Sequence, residues 1–93
     1  MSYRPIPCES LRGPEGELVF VRLQVGSRVL EDALEVLAQA SFPVNPEIRH
    51  GHPWSWVEFP AYDANVEEVR GLLETGRLGE WTMEVTSALS ALR

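Results

Sequence analysis

Glu17 to Ser41 reads ELVFVRLQVGSRVLEDALEVLAQAS, and this stretch decides the fold. Within it, Leu18 to Val25 alternates. Val19, Val21, Leu23 and Val25 form one wholly aliphatic face, while Leu18, Phe20, Arg22 and Gln24 form a mixed one. β-Branched side chains at a period of two, with one clean apolar face, describe a strand buried on one side. Gly26 breaks the run, and Ser27 is placed to cap a helix through its hydroxyl. From Arg28 the period changes. Leu30, Leu34 and Leu37 fall on one stripe, widened by Ala33, Val36 and Ala40. That spacing predicts an amphipathic helix of about four turns, stopped before Pro43. Glu31 and Asp32 sit early, where the helix dipole favours them. A strand with one apolar face and a helix with one apolar stripe bury those surfaces against each other.

Composition bounds what this unit can belong to. The 93 residues are 44% hydrophobic, enough for one modest two-layer core without disulfides or metal. Formal net charge is −6 and no Lys/Arg cluster stands out, which argues against a nucleic-acid groove. Cys8 is the only cysteine, so no internal disulfide forms, as suits a reducing compartment. No apolar run approaches the roughly 20 residues needed to span a bilayer. The N-terminal MSYRPIPCESLRG lacks the apolar centre of a signal peptide. The expectation is a soluble cytoplasmic domain with neither nucleic acid nor membrane as partner.

Outward from the central stretch, residues 1–16 read as an extended arm, because Pro5, Pro7 and Pro14 exclude a regular helix. The arm ends in a turn at Gly13-Pro14-Glu15-Gly16, and Tyr3, Ile6 and Leu11 are its candidate pins to a body formed by residues 17–93. After the helix, Glu47 to His50 is a short strand with Ile48 directed at the core. Gly51-His52-Pro53 signals a hairpin turn, with Gly51 supplying positive φ. Trp54 to Phe59 is the third strand, closed by Pro60. Ser55, Val57 and Phe59 share one face of it, and Trp54, Trp56 and Glu58 share the other. Val66, Val69, Leu72 and Leu73 mark a second helix, capped by Asp63 or Asn65, the latter with Glu68 as a capping-box partner. Gly71 inside it implies close packing or a weak helix, and Gly76 suits a left-handed residue at its end. Glu80 to Thr86 is the fourth strand, with Trp81, Met83 and Val85 on one face. The order β-α-β-β-α-β with right-handed crossovers predicts an α+β, ferredoxin-like domain. Its antiparallel sheet runs 4-1-3-2, with both helices on one face.

This pattern resembles the ACT-like superfold of small regulatory domains, and more closely the NIL domain that follows the ATPase of bacterial methionine importers. The likeness is carried by LVFVRLQV as first strand, VLEDALEVLAQASFPVNPEIRHG as helix and second strand, and SWVEFPAYDANVEEVRGLLE as third strand and second helix. In that family the domain dimerises and binds an amino acid. The resemblance therefore implies a homodimeric regulatory module that binds an amino acid or similar small metabolite, without catalysis or cofactor. The chain departs from the ACT pattern in having Val25-Gly26-Ser27 where an Asp-x-Pro-Gly turn is usual, and no G-x-x-x-x-G-K-[ST] motif occurs in it.

Candidate functional residues gather on the sheet face away from the helices. Phe20, Trp54 and Trp56 form an aromatic patch there, the expected dimer interface. About 300 Å² of such surface is worth roughly 7 kcal/mol, comparable to the cost of bringing two bodies together, so further contacts are needed. The alternative is that the arm or the C-terminal SALSALR covers the tryptophans. Arg22 and Glu58 face each other on the central strands, as a cross-strand pair or as holders of a zwitterionic ligand. Gly26 and Ser27 can present amides to an anion. His50 and His52 can reach one metal, but a zinc site needs a third protein ligand, and a solvated turn is the simpler reading. No nucleophile can be joined to a base, so no catalytic residue is assigned. The rival readings are a small enzyme of the dimeric α+β barrel type, with a cavity lined by Trp81, Phe59 and His50, and an adaptor offering its aromatic face to another chain.

Overall fold

The computed structural model describes residues 12–13 and 16–88. Tyr3, Ile6, Cys8 and Leu11 of the arm, and most of SALSALR, lie outside the described residues. Strand β1 (Arg12–Gly13) pairs with the start of β2 (Gly16–Gly26). A 3₁₀ turn at Ser27–Val29 leads to α1 (Leu30–Leu37). Then follow β3 (Glu47–Arg49), β4 (Trp54–Tyr62), α2 (Asp63–Thr75) and β5 (Trp81–Ser87). The four main strands form one antiparallel sheet ordered β5-β2-β4-β3. This is the order expected from the sequence, in an α+β fold.

β2 is the spine. It pairs with β4 from Leu18 to Gly26 and with β5 from Val19 to Val25. Its aliphatic face, Val19, Val21, Leu23 and Val25, is buried with Val57, Phe59 and Ala61 of β4. Leu30, Ala33 and Leu37 of α1 and Val66, Val69 and Leu73 of α2 cover it from one side. Each fully buried valine, leucine or phenylalanine contributes about 1.5–3 kcal/mol, which makes this layer the main stabilising term. Leu78, in the loop between α2 and β5, also lies in it.

Several expectations are corrected. β4 does not close at Pro60 but runs to Tyr62. β3 meets β4 only at Trp56 to Glu58, so beyond Glu58 one flank of β4 is unpaired among the described strands, where a residue without N–H is admissible. Ile48 points to the helix side, opposite Val57, but remains 37% exposed; on the far edge Val85 is 41% exposed. The helices lie mainly over β2 and β4, so cover thins toward the rims: Trp81 and Met83 of β5 still pack on the core, while Ile48 and Val85 stay exposed. α1 is two turns rather than four. After Leu37 the amides of Gln39 and Ala40 bond three residues back, to Val36 and Leu37, and tighten the chain into a turn. Ser41 is then held from outside: its amide and hydroxyl both donate to the Glu68 carboxylate, at 2.6 and 2.7 Å.

Caps also differ. Ser27 does not cap a helix with its side chain, and neither does Asp63 or Asn65; Tyr62 is the N-cap of α2. Gly76 is right-handed, with φ −80°, and Arg77 takes the left-handed position at φ 58°. What Gly76 supplies is space, since a Cβ there would lie 2.7 Å from Cγ2 of Val36 on α1. Gly71 supplies none, because a Cβ there meets nothing within 4 Å. Gly51 likewise is not at positive φ; a Cβ there would lie 2.4 Å from the Trp54 carbonyl oxygen.

These contacts set two expectations. Gly71→Ala raises stability in urea unfolding by about 0.5–1 kcal/mol, through lower backbone entropy in the unfolded chain. Gly76→Ala lowers it by about 1–3 kcal/mol by overpacking against Val36, and the opposite order of the two variants would refute this account. The Ser41 hydroxyl first and its amide second hold the Glu68 pKa below its ordinary value. A carboxylate depressed on folding adds stability above its unfolded pKa and loses it as pH falls through the folded one. The stability gap between wild type and Glu68→Gln is therefore present at neutral pH and narrows on acidification. A gap that stays constant to about pH 2 would contradict this.

Candidate functional site

The open face of the sheet follows from parity. Opposed residues on neighbouring strands project to the same side. Since Ser55, Val57 and Phe59 are buried, Trp54, Trp56 and Glu58 face away from the helices, as expected. The registers then arrange this face in rows. One row runs Thr86, Phe20, Pro60. The next runs Glu84, Arg22, Glu58, Glu47. The third runs Thr82, Gln24, Trp56, Arg49, and the last holds Gly26 and Trp54.

The second row concentrates charge. Arg22 Nε lies 3.2 Å from Glu58 Oε2, with the two side chains 45% and 33% exposed. Glu84 flanks Arg22 on one side, and Glu47 is opposed to Glu58 on the other. One guanidinium thus serves a row that carries three carboxylates. Arg22 also lies over the Trp56 ring, 5.8 Å from its centroid. Gly51 approaches the far edge of that ring, so Trp56 is half-buried. Trp54 is half-buried too, and Phe20 is 40% exposed. The expected aromatic patch is therefore split, with Phe20 at one end, Trp54 and Trp56 at the other, and the charged row between them. Beside the middle lies an open groove of about 540 Å³, lined by Phe20, Arg22, Glu47, Glu58, Glu84 and Thr86 among others.

The remaining candidates fall elsewhere. Gly26 and Ser27 sit at the end of β2, about 13 Å along the strand from Arg22. The Ser27 amide donates to the Pro53 carbonyl at 2.8 Å, and its hydroxyl donates to the Gly51 carbonyl at 2.5 Å. Ser27 Oγ also lies 2.8 Å from Ser55 Oγ, whose residue is only 1% exposed on the core side. Ser27 is thus turned inward to tie the β3–β4 hairpin to the end of β2, and its donors are taken by the protein rather than offered to an anion. Among the described residues no buried side-chain polar atom lacks a partner. His50 and His52 are exposed on the hairpin. Among the described residues, no three His, Cys, Asp or Glu side chains group as metal ligands. Phe59 is enclosed in the core while His50 is exposed, so the cavity wall imagined for an enzyme from Trp81, Phe59 and His50 is not assembled. No helix among the described residues is long and apolar enough to cross a membrane.

With Ile48 directed at the core and Trp81, Met83 and Val85 sharing one face, alternation puts Glu47 and Glu84 on this side, though sequence reading assigns neither to a site. The signal for Glu47 was the short Gly51-His52-Pro53 turn, which fixes β3 against β4. For Glu84 no local signal exists, since β5 meets β2 only through the tertiary fold. Comparison with protein-family models and with curated proteins finds no match for this chain.

A double-mutant cycle measures the central pair. Arg22→Ala, Glu58→Ala and the double variant should yield a coupling of about 0.2–1 kcal/mol, as for other half-exposed cross-strand pairs. Arg22→Ala should also change the Trp56 fluorescence. A coupling of zero with unchanged fluorescence would show that Arg22 does not hold this position in solution.

Proposed function

We propose that the chain is a small regulatory domain of ferredoxin-like type, similar to NIL and ACT-like domains, that works as a homodimer and binds an amino acid or a similar small metabolite. The observation that carries this reading is the groove on the open sheet face, where a guanidinium, carboxylates and an exposed aromatic ring stand together. Such a set matches the groups of an amino acid. Its carboxylate pairs with Arg22, its ammonium with Glu47 or Glu84, and its side chain rests on Phe20. Arg22 is the adaptable element, since its bond to Glu58 is half-exposed and exchanging it for a ligand carboxylate costs little. The order of strands and helices supports the family likeness.

Thermal unfolding in a panel of the proteinogenic amino acids tests this. One or a few related compounds should raise Tm, with about 2.7 kcal/mol added at a ligand concentration about a hundredfold above Kd. Arg22→Ala should abolish the rise while leaving the unliganded Tm within a few degrees of wild type. No rise with any member of the panel would overturn the ligand assignment.

A further inference from the structure

We infer that a second copy of this chain docks on the open sheet face about a two-fold axis running across the strands, so that Arg49 of each copy meets the partner's Glu47 at the rim of the ligand groove. This deepens the proposed homodimer and rests on that reading. Two stacked sheets can be related by an axis along the strands or by one across them, and the charges on this face distinguish the two. An axis along the strands lays β3 over the partner's β5. It opposes Glu47 to the partner's Glu84 at both edges of the row, a repulsion that the Arg22–Glu58 oppositions in the middle only offset, whereas the other axis has no like-charge opposition. An axis across the strands lays each strand over its own copy and reverses the rows.

With that axis between the Arg22 row and the Gln24 row, every opposition is acceptable. Glu47 meets the partner's Arg49, Glu58 meets the partner's Trp56, Arg22 meets the partner's Gln24, and Glu84 meets the partner's Thr82. The outer rows exchange as well, which sets Trp54 over the partner's Pro60, beside the partner's Phe20. The two aromatic ends, separated within one chain, are brought together between chains. The thirteen positions in these rows, spaced about 4.8 by 6.6 Å, cover about 400 Å² on each copy, or about 800 Å² in all, the size of a weak, reversible interface. Arg49 and Glu47 are both exposed on β3 in the single chain, and Arg49 is opposed there to Trp56 rather than to a carboxylate. The pairing also covers the groove, since Arg22, Glu47, Glu58 and Glu84, which line it, all come to oppose partner residues, so a ligand there and the partner engage the same side chains.

Charge exchange tests the arrangement, read by light scattering or native mass spectrometry over a dilution series. Glu47→Arg and Arg49→Glu each set like charges together in both symmetry-related pairs along β3, and each should weaken self-association at least about tenfold. Mixing the two variants restores opposite charges in both pairs, so a heterodimer should form with affinity near that of wild type. The single chain carrying both substitutions should recover the homodimer. Circular dichroism on each variant confirms that it is folded. A monomeric wild type overturns the inference. So does a pair of single variants that dimerise as wild type does, or a mixture and a double variant that stay apart. In the last two cases ligand-induced stabilisation can persist, which separates failure of this arrangement from failure of the ligand reading.

Discussion

Burial of one aliphatic face of β2 constrains everything else in this molecule. Val19, Val21, Leu23 and Val25 alternate on a strand whose both edges are hydrogen-bonded, to β4 and to β5. A central strand with one apolar face must have a cover, and the chain supplies it twice, once from each crossover helix. Parity then determines the opposite face. Because the valines point inward, Phe20, Arg22 and Gln24 point outward, and the partners opposed to them on β4 and β5 follow. A slip of one residue in the β2–β4 pairing would turn Trp56 into the core and Val57 to solvent. The charged groove is thus a by-product of where the valines go.

How much of this was readable in the sequence depends on which physical rule set each feature. Strand order and the outward direction of Trp54 and Trp56 were readable, since alternation in two well-patterned strands decides the side on which a residue lies. Cover was not. Ile48 and Val85 lie on the expected side, but whether a helix overlies them depends on helix position, which no local period encodes. The end of α1 was misread for a related reason. The apolar stripe continues to Ala40, yet Glu68 draws Ser41 away, a contact between segments 27 residues apart. Gly76 and Gly51 were recognised as special, but for the wrong property. Both are needed because other groups approach closely, and a glycine code for space is indistinguishable in sequence from one for positive φ.

The candidate site was legible in part. Arg22 and Glu58 were found because opposed residues on neighbouring central strands are predictable once register is known. Glu47 and Glu84 complete the charged row only through two further registers, one of them set across 62 residues of chain. Ser27 shows the reverse failure. A serine after Gly26 has the pattern of a helix cap, whereas the buried Ser55 hydroxyl and the hairpin carbonyls compete for it and win.

The two edges of the sheet are unlike, and this bears on how the chain behaves in a crowded solution. β3 is three residues long and follows Pro46, and the Pro60 on its neighbour lies where β3 has already ended. Such a rim offers too few amides and carbonyls to recruit an extra strand. β5 is seven residues without proline or glycine, and among the described strands it pairs only with β2. Among the described strands, the backbone donors and acceptors able to take up an added strand are thus concentrated on the β5 rim and sparse on the β3 rim.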